Sequence, residues 1–418
     1  MAFGKIPRFS PSFSPDEAKI AIRYLLQDGP NDDVVRKFER RFADYIGTKY
    51  AVMVPSARYG FYLLLRALGI TEEDEIMIPG LTYFAIPAMV PLLKAKPTFC
   101  DIGLYSHVLD PESFESRITK KTKVVVPTHL FGTPCDMERI CEIAKRHNIK
   151  VIEDCAQSTG AKFQGKRVGS WGDAAYYTFG LTKNITTLSG AMITTNDEEI
   201  ATSVRTKIEE GGYPSKKRAI KEVATGMAMY IATHPALYWA TVHPAIVLGN
   251  QFGKDPIHDR FGEAECSYQE LPSYYQDQSK ALAVQAAVGM KQLDRIEELN
   301  GARRKNGQAL DMGLSGLDGL GVPSYPNGSD PIYMSFVVHH HNRKAFADLL
   351  RQRGVDTTTG YMNNMSDHPM FQQYKMSCPN ATRANQEILH LPVHPNLSKQ
   401  DRLHMIETVR DIVLTFKE

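Results

Sequence analysis

Apolar residues recur at helical spacing through residues 16–46, where Ala18, Ile22 and Leu25, then Val35, Phe38, Phe42 and Ile46, form stripes. Short apolar runs follow. Residues 50–54 (YAVMV) read as a buried strand, Pro55 and Ser56 as a turn, and 59–68 as a helix. Glu75 to Pro79 is a second strand, followed by an apolar helix across 85–93. Residues 96–102 and 124–127 are strand-like, and 136–147 place Met137, Ile140, Cys141 and Ala144 on one helical face. KVIEDC (150–155), AAYYTF (174–179) and GAMITT (190–195) continue the strands. This alternation predicts an α/β fold, a mainly parallel sheet with helices on both faces. Ligands of such sheets bind beyond the carboxyl ends of the strands, where Asp154 and Thr178 fall.

Residues 222–250 lack Asp, Glu, Lys and Arg after Glu222, yet Pro235 and Pro244 interrupt any membrane span. Buried helices, a subunit interface or a surface dipping into a bilayer each fit this stretch. From about Ser267 the pattern changes to a helical stretch over 279–306, short strands such as 331–338, and helices near 343–353, 381–389 and 400–416. The organisation predicted is a large domain over 1–265, with an apolar insertion at about 214–265, and a smaller α+β domain over 266–418.

Composition narrows the functional classes. The 49 basic and 47 acidic side chains nearly cancel, so no general attraction to nucleic acid follows. Six cysteines are scattered without a CxxC pair or a zinc-like Cys/His spacing, which fits buried thiols in a reducing compartment and predicts no metal. The opening MAFGKIPRFSPSFS has no apolar signal stretch, and the expectation is a cytoplasmic protein.

Pyridoxal phosphate requires a lysine for its aldehyde, an acid for its pyridine nitrogen and a phosphate cradle. Asp154 ends the strand VIED, and suits either that acid or a helix cap. Lys183 lies in YYTFGLTKNITT, 29 residues after Asp154 and five after Thr178. Alone it could equally be a solvated loop lysine.

Four stretches turn these hints into a resemblance: 74–102, 150–187, 283–296 and 388–401. In order and content they resemble the DegT/DnrJ/EryC1/StrS family, fold-type-I aminotransferases acting on keto sugars. The resemblance implies that Lys183 is the Schiff-base lysine and Asp154 the pyridinium partner. It implies Gln157 near the cofactor's phenolic oxygen, Tyr83 stacked on the ring, and Thr178 in place of the phosphate-binding serine. His129, in THLFG, matches a histidine near the family's site and is a candidate substrate contact, although a strand-end histidine is more often structural.

Four departures stand out. The family's Ser-Gly-Thr is here Ser56-Ala57-Arg58, where Arg58 either grips the phosphate or turns to solvent. Its Gly-Glu-Gly-Gly is Leu188-Ser189-Gly190-Ala191. The Asn and Arg donated by the second subunit are Gln278 and Lys280. The apolar insertion is longer than the family's usual. The activity implied is transfer of an amino group from glutamate or glutamine to a keto sugar, expected to be nucleotide-linked, with the insertion leaving a cyclitol or lipid-linked ketone open. A homodimer with shared sites follows from the same resemblance, with peripheral membrane contact through 222–250 as an open alternative. Relatives with dehydratase activity carry His in place of the lysine, which Lys183 opposes, and a non-catalytic membrane-associated relative would not need Asp154, Gln157 and Lys183 together.

Overall fold

The computed structural model describes residues 6–26, 31–238, 278–359 and 362–416, with isolated positions between 240 and 248. Local signals set most boundaries. Ser14 caps α1 (Pro15–Leu25), and Asn31 caps α2 (Asp32–Ile46), which ends at Gly47 with φ +91°. The apolar stretch 16–46 is therefore two helices. Then come β1 (Tyr50–Val54), α3 (Ala57–Ala67), β2 (Glu75–Pro79), α4 (Ala85–Met89) and β3 (Lys96–Cys100). Next are α5 (Pro111–Ser116), β4 (Thr122–Val125), α6 (Met137–Arg146), β5 (Lys150–Asp154), β6 (Ala174–Thr178) and β7 (Ala191–Thr195).

These strands form a seven-stranded sheet in the order β1-β7-β6-β5-β4-β2-β3. The ladders from β6 to β3 are parallel, whereas β7 runs antiparallel to both β6 and β1. Two reversals restore direction, so β1 ends at the same sheet edge as β4, β5 and β6. In register, Val54 faces Ala191, Ala191 faces Thr178, and Tyr176 faces Asp154. That edge collects the residues of interest.

Both faces of the sheet are covered, which explains the unbroken apolar strands. Val52, Val54, Ile76, Ile78 and Ile152 pack with Phe61 and Leu64 of α3 on one side. Ala51, Met53, Tyr177 and Met192 pack with Phe38 and Phe42 of α2 on the other. Phe42 meets Tyr177 edge-on at 5.0 Å between ring centroids.

After α7 (Glu198–Glu209), α8 (Lys216–Ala232) buries Val223 and Met229 while Ile220 and Ile231 stay exposed, and a short α9 (Pro235–Tyr238) follows. No helix among the described residues is long and apolar enough to cross a membrane. The domain boundary expected between 265 and 266 and most of 239–277 lie outside the described residues.

The helical stretch expected over 279–306 is two helices, α10 (Ala283–Asp294) and α11 (Ile296–Leu314), parted at Arg295. Instead of joining the C-terminal core, α10 packs on α1 and α2. Gly289 permits that approach, because a Cβ there would lie 2.5 Å from Phe38. The C-terminal core is built by α11, β8 (Phe336–His339), α12 (Arg343–Gln352), β9 (Ile388–Leu391) and α14 (Lys399–Thr415), whereas α13 (Pro379–Glu387) buries Ala381 and Ala384 in the core on the α3 side of the sheet. β8 and β9 pair antiparallel, and Phe336, Val338, Leu389 and Leu391 fill the C-terminal core with Phe346, Leu350 and Ile412.

Candidate active site

Asp154 closes β5 and is buried, 4% exposed. Its main chain is locked on both sides: its N–H donates to Pro127 O at 2.9 Å, and its carbonyl accepts from the His129 N–H at 3.0 Å. One carboxylate oxygen accepts from the Ala156 N–H at 2.9 Å. The neighbouring Tyr176 hydroxyl is close enough to the carboxylate to influence it, but falls short of hydrogen-bond geometry. Burial raises the Asp154 pKa above the ordinary range, while the Ala156 N–H, the Tyr176 hydroxyl and Lys183 act the other way. A buried carboxylate so thinly bonded is poised for a cationic partner.

Lys183 supplies the second charge. Burial lowers the pKa of its amine, and the Asp154 carboxylate partly offsets this, so the two groups sense each other. The Lys183 loop is held by distant parts of the chain. Ser12 Oγ donates to the carbonyls of Lys183 and Asn184 at 3.2 and 3.0 Å. Asn184 Nδ2 donates to Thr159 O at 2.8 Å and to Asn300 Oδ1 at 3.3 Å. Gln292 accepts from the Thr186 N–H and donates to Ser12 O. This clamp is absent from the sequence reading; a buried Asn directly after the lysine was its one local trace.

Around this pair the sheet edge gathers further groups. Thr178 Oγ1 is buried and has no hydrogen-bond partner. Two rows away, Ser56 caps α3, its Oγ accepting from the Tyr59 N–H at 3.3 Å, with Ala57 and Arg58 in the first turn. A helix start beside a bare hydroxyl is a setting that attracts a phosphate. Gln157 Oε1 accepts from the Phe131 N–H at 2.9 Å, which leaves its NH2 group to donate elsewhere. Tyr83 follows the short strand Leu81–Thr82 and is partly buried against the α3 side of the core.

His129 requires a correction. Its Nδ1 accepts from the Cys135 N–H at 3.0 Å, so Nε2 carries the proton and donates to Glu153 at 3.1 Å. Both ring nitrogens are engaged within the chain, and neither is available to a substrate. Glu153, which sequence reasoning passed over, also accepts from the N–H groups of Gly169, Trp171 and Gly172 at 2.6, 2.7 and 2.8 Å. The ligand-type atoms of His129, Glu153 and Cys155 lie within 4.8 Å of one another. Their hydrogen bonds make this cluster a frame for the 168–173 loop.

Gln278 and Lys280 are engaged with residues 211–213. The Gln278 carbonyl packs on Gly211, the Lys280 N–H donates to Gly212 O at 2.9 Å, and its ammonium lies 5.1 Å from the Tyr213 ring centroid. The altered loop after the lysine has its own cost. Leu188 sits at φ +75°, where a side chain is disfavoured by about 1–2 kcal/mol. Its burial against Val284 and Val288 helps to hold it there.

A model of the DegT/DnrJ/EryC1/StrS aminotransferase family matches residues 22–237 and 274–410, which is most of the chain. The chain belongs to that family. The match passes over residues 238–273, a span that overlaps the apolar insertion expected at about 214–265. Among similar proteins is the UDP-2-acetamido-2-deoxy-3-oxo-D-glucuronate aminotransferase of Pseudomonas aeruginosa, 28% identical over 90% of this chain and 88% of that one. GDP-perosamine synthase of Caulobacter vibrioides is 41% identical over 43% of this chain and 49% of its own. Among solved structures, DesV of S. venezuelae, in complex with a ketimine intermediate, superposes with a TM-score of 0.75 at 25% identity, covering 98% of this chain and 99% of that one. The fold is that of fold-type-I aminotransferases, and the chain is an aminotransferase of a family that in general depends on pyridoxal phosphate.

Proposed function

We propose that this aminotransferase moves an amino group from glutamate or glutamine to the ketone of a nucleotide-linked sugar, using pyridoxal phosphate held at Lys183. The observation that carries the reading is the buried Asp154 carboxylate at the end of β5, beside the unpartnered Thr178 hydroxyl and acting electrostatically on the buried Lys183 amine of the loop after β6. These groups fit the cofactor: a buried acid for its ring nitrogen, a desolvated amine for its aldehyde, and a hydroxyl with a helix start for its phosphate. The named relatives act on nucleotide sugars or build them, which supports that acceptor class.

When bound, the cofactor supplies an aldehyde that exchanges amines and a ring that accepts an electron pair. Asp154 keeps a proton on the ring nitrogen. Thr178, Ser56, Ala57 and Arg58 would hold the phosphate, Gln157 would donate its NH2 group to the ring oxygen, and Tyr83 would pack on the ring. Lys183, whose pKa burial lowers, would hold and move the proton of the donor's α-carbon, first as base and then as acid. The same residues act in reverse order on the acceptor.

The assignment extends to a homodimer in which Gln278 and Lys280 serve the partner's site, in a chain divided into 1–265 and 266–418. Mixing Lys183→Ala chains with Lys280→Ala chains should restore part of the activity, and no restoration would argue against shared sites. A cytoplasmic location, with any membrane contact confined to 222–250, completes the reading. The deciding experiment is visible absorbance of the protein with added pyridoxal phosphate. A yellow band that fades on glutamate addition and is missing in Lys183→Ala is expected; an unchanged band in that variant would reject Lys183.

A further inference from the structure

The outer face of α8 is unusual for a helix that faces water. Its inner face buries Ala219, Val223, Gly226 and Met229. Gly226 lets that face come close to the Lys183 loop, because a Cβ there would lie 2.9 Å from Phe13 and 3.2 Å from Leu181. The opposite face carries Lys217, Ile220, Ala224, Ala228 and Ile231 at successive three- and four-residue steps, all exposed. Ile220 and Ile231 are 55% and 50% exposed, and apolar exposure continues past the helix at Leu237 and Leu248. From Val223 to Gly253 the sequence has no Asp, Glu, Lys or Arg. The second half of this exposed face therefore lacks the charges that a solvated helix face ordinarily carries.

Charge is concentrated at the other end. Lys216, Lys217, Arg218 and Lys221 crowd the start of α8, and its first turn holds no acidic residue. That order opposes the helix dipole, which favours acids at the N-terminus and makes cations there costly. Arg218 is answered by Glu222 at 3.1 Å, whereas Lys217 and Lys221 have no ion-pair partner among the described residues. Cations kept where the helix disfavours them, on the same side as an exposed apolar stripe, match an external anionic surface. A second copy of the chain matches less well. The stripe is about 20 Å long and one helix wide, far less than the roughly 800 Å² that each partner of a stable protein interface buries. A bilayer needs no complementary shape: isoleucines enter the headgroup boundary while lysines reach the phosphates beside them.

We propose that the Lys217–Ile231 face of α8 docks on an anionic phospholipid surface, with Ile220 and Ile231 inserted among the headgroups. The docking face extends the membrane contact read at 222–250 back to Lys217, and it rests on no part of the cofactor chemistry. Docking holds the Lys183 loop about one helix diameter from the headgroups.

The test is co-sedimentation of the full chain, loaded with pyridoxal phosphate, with vesicles of phosphatidylcholine alone or mixed equally with phosphatidylglycerol. Binding to the mixed vesicles should be on the order of tenfold tighter than to phosphatidylcholine alone, and weakened by salt. Replacing both isoleucines, Ile220→Gln with Ile231→Gln, should lower affinity for the mixed vesicles roughly tenfold, and so should Lys217→Gln with Lys221→Gln. Glutamine keeps the helix-forming tendency, and intact transamination in solution by either pair separates lost docking from lost folding. No sedimentation of the unaltered chain with mixed vesicles would overturn the proposal. So would undiminished binding by either pair, or equal binding to both kinds of vesicle. A chain that ignores vesicles but falls in molecular mass when the isoleucines are replaced would assign the face to a second copy instead. Sedimentation involves no colour change, so its failure is distinct from failure of the absorbance test.

Discussion

Glu153 and Asp154 are consecutive carboxylates at the end of one strand, both buried, and they are bonded in opposite ways. Glu153 faces the 168–173 loop and accepts from three backbone N–H groups and His129. Asp154 faces the site and accepts one backbone N–H. Successive strand residues point to opposite faces, so the sheet separates the two roles without any spacing in sequence. The saturated acid holds the scaffold; the undersaturated one is left with capacity for a ligand.

The comparison can be broken in several ways. Lys183→Ala removes the amine that Asp154 faces and should lower transamination by roughly 10⁴-fold or more, measured as amino transfer from glutamate. Glu153→Ala should cost about 3 kcal/mol or more of folding stability in denaturant titration, because several buried donors lose their acceptor. Asp154→Asn should do the reverse: activity falls by roughly 10²-fold or more, while the cofactor-free protein unfolds at no lower denaturant concentration. Loss of stability in Asp154→Asn comparable to that in Glu153→Ala would erase the distinction.

Smaller effects sharpen the picture. Burial lowers the Lys183 pKa from 10.5. The protonated amine therefore costs stability in full below the folded pKa, and that cost is relieved as pH rises towards 10.5. The rate of pyridoxal phosphate capture against pH should have its midpoint below 10.5, and lower still in Asp154→Asn, since the carboxylate holds the amine up. An upward shift would contradict the coupling. Thr178→Val should weaken cofactor binding by about tenfold, near 1.4 kcal/mol, read by equilibrium dialysis, and leave the cofactor-free fold unharmed because the hydroxyl has no partner to lose.

The strand ends were legible from the sequence because both sheet faces are buried and the apolar runs stop at polar residues. Asp154 and Thr178 therefore fall at one edge on the apolar pattern alone, and the family resemblance adds Lys183. Glu153 was not legible. A charge inside a doubly covered strand needs donors, and those come from Gly169, Trp171 and Gly172, whose free N–H groups leave no mark in composition. The SWGD turn after a glycine was the available signal. The His129 role went astray for the same reason: its partners are a backbone N–H and that glutamate. The position of α10 depended on Gly289 meeting Phe38, a contact between residues 251 positions apart, which periodicity cannot report.

The clamp on the Lys183 loop has a consequence for synthesis of the chain. Ser12 is made first, the loop much later, and Gln292 and Asn300 later still. A nascent chain halted after β7 would contain Asp154, Thr178 and Lys183 but lack half of the grip on the loop. On the ribosome, competence to capture the cofactor should thus arrive late and abruptly, once α11 has emerged, and not grow as the sheet is laid down.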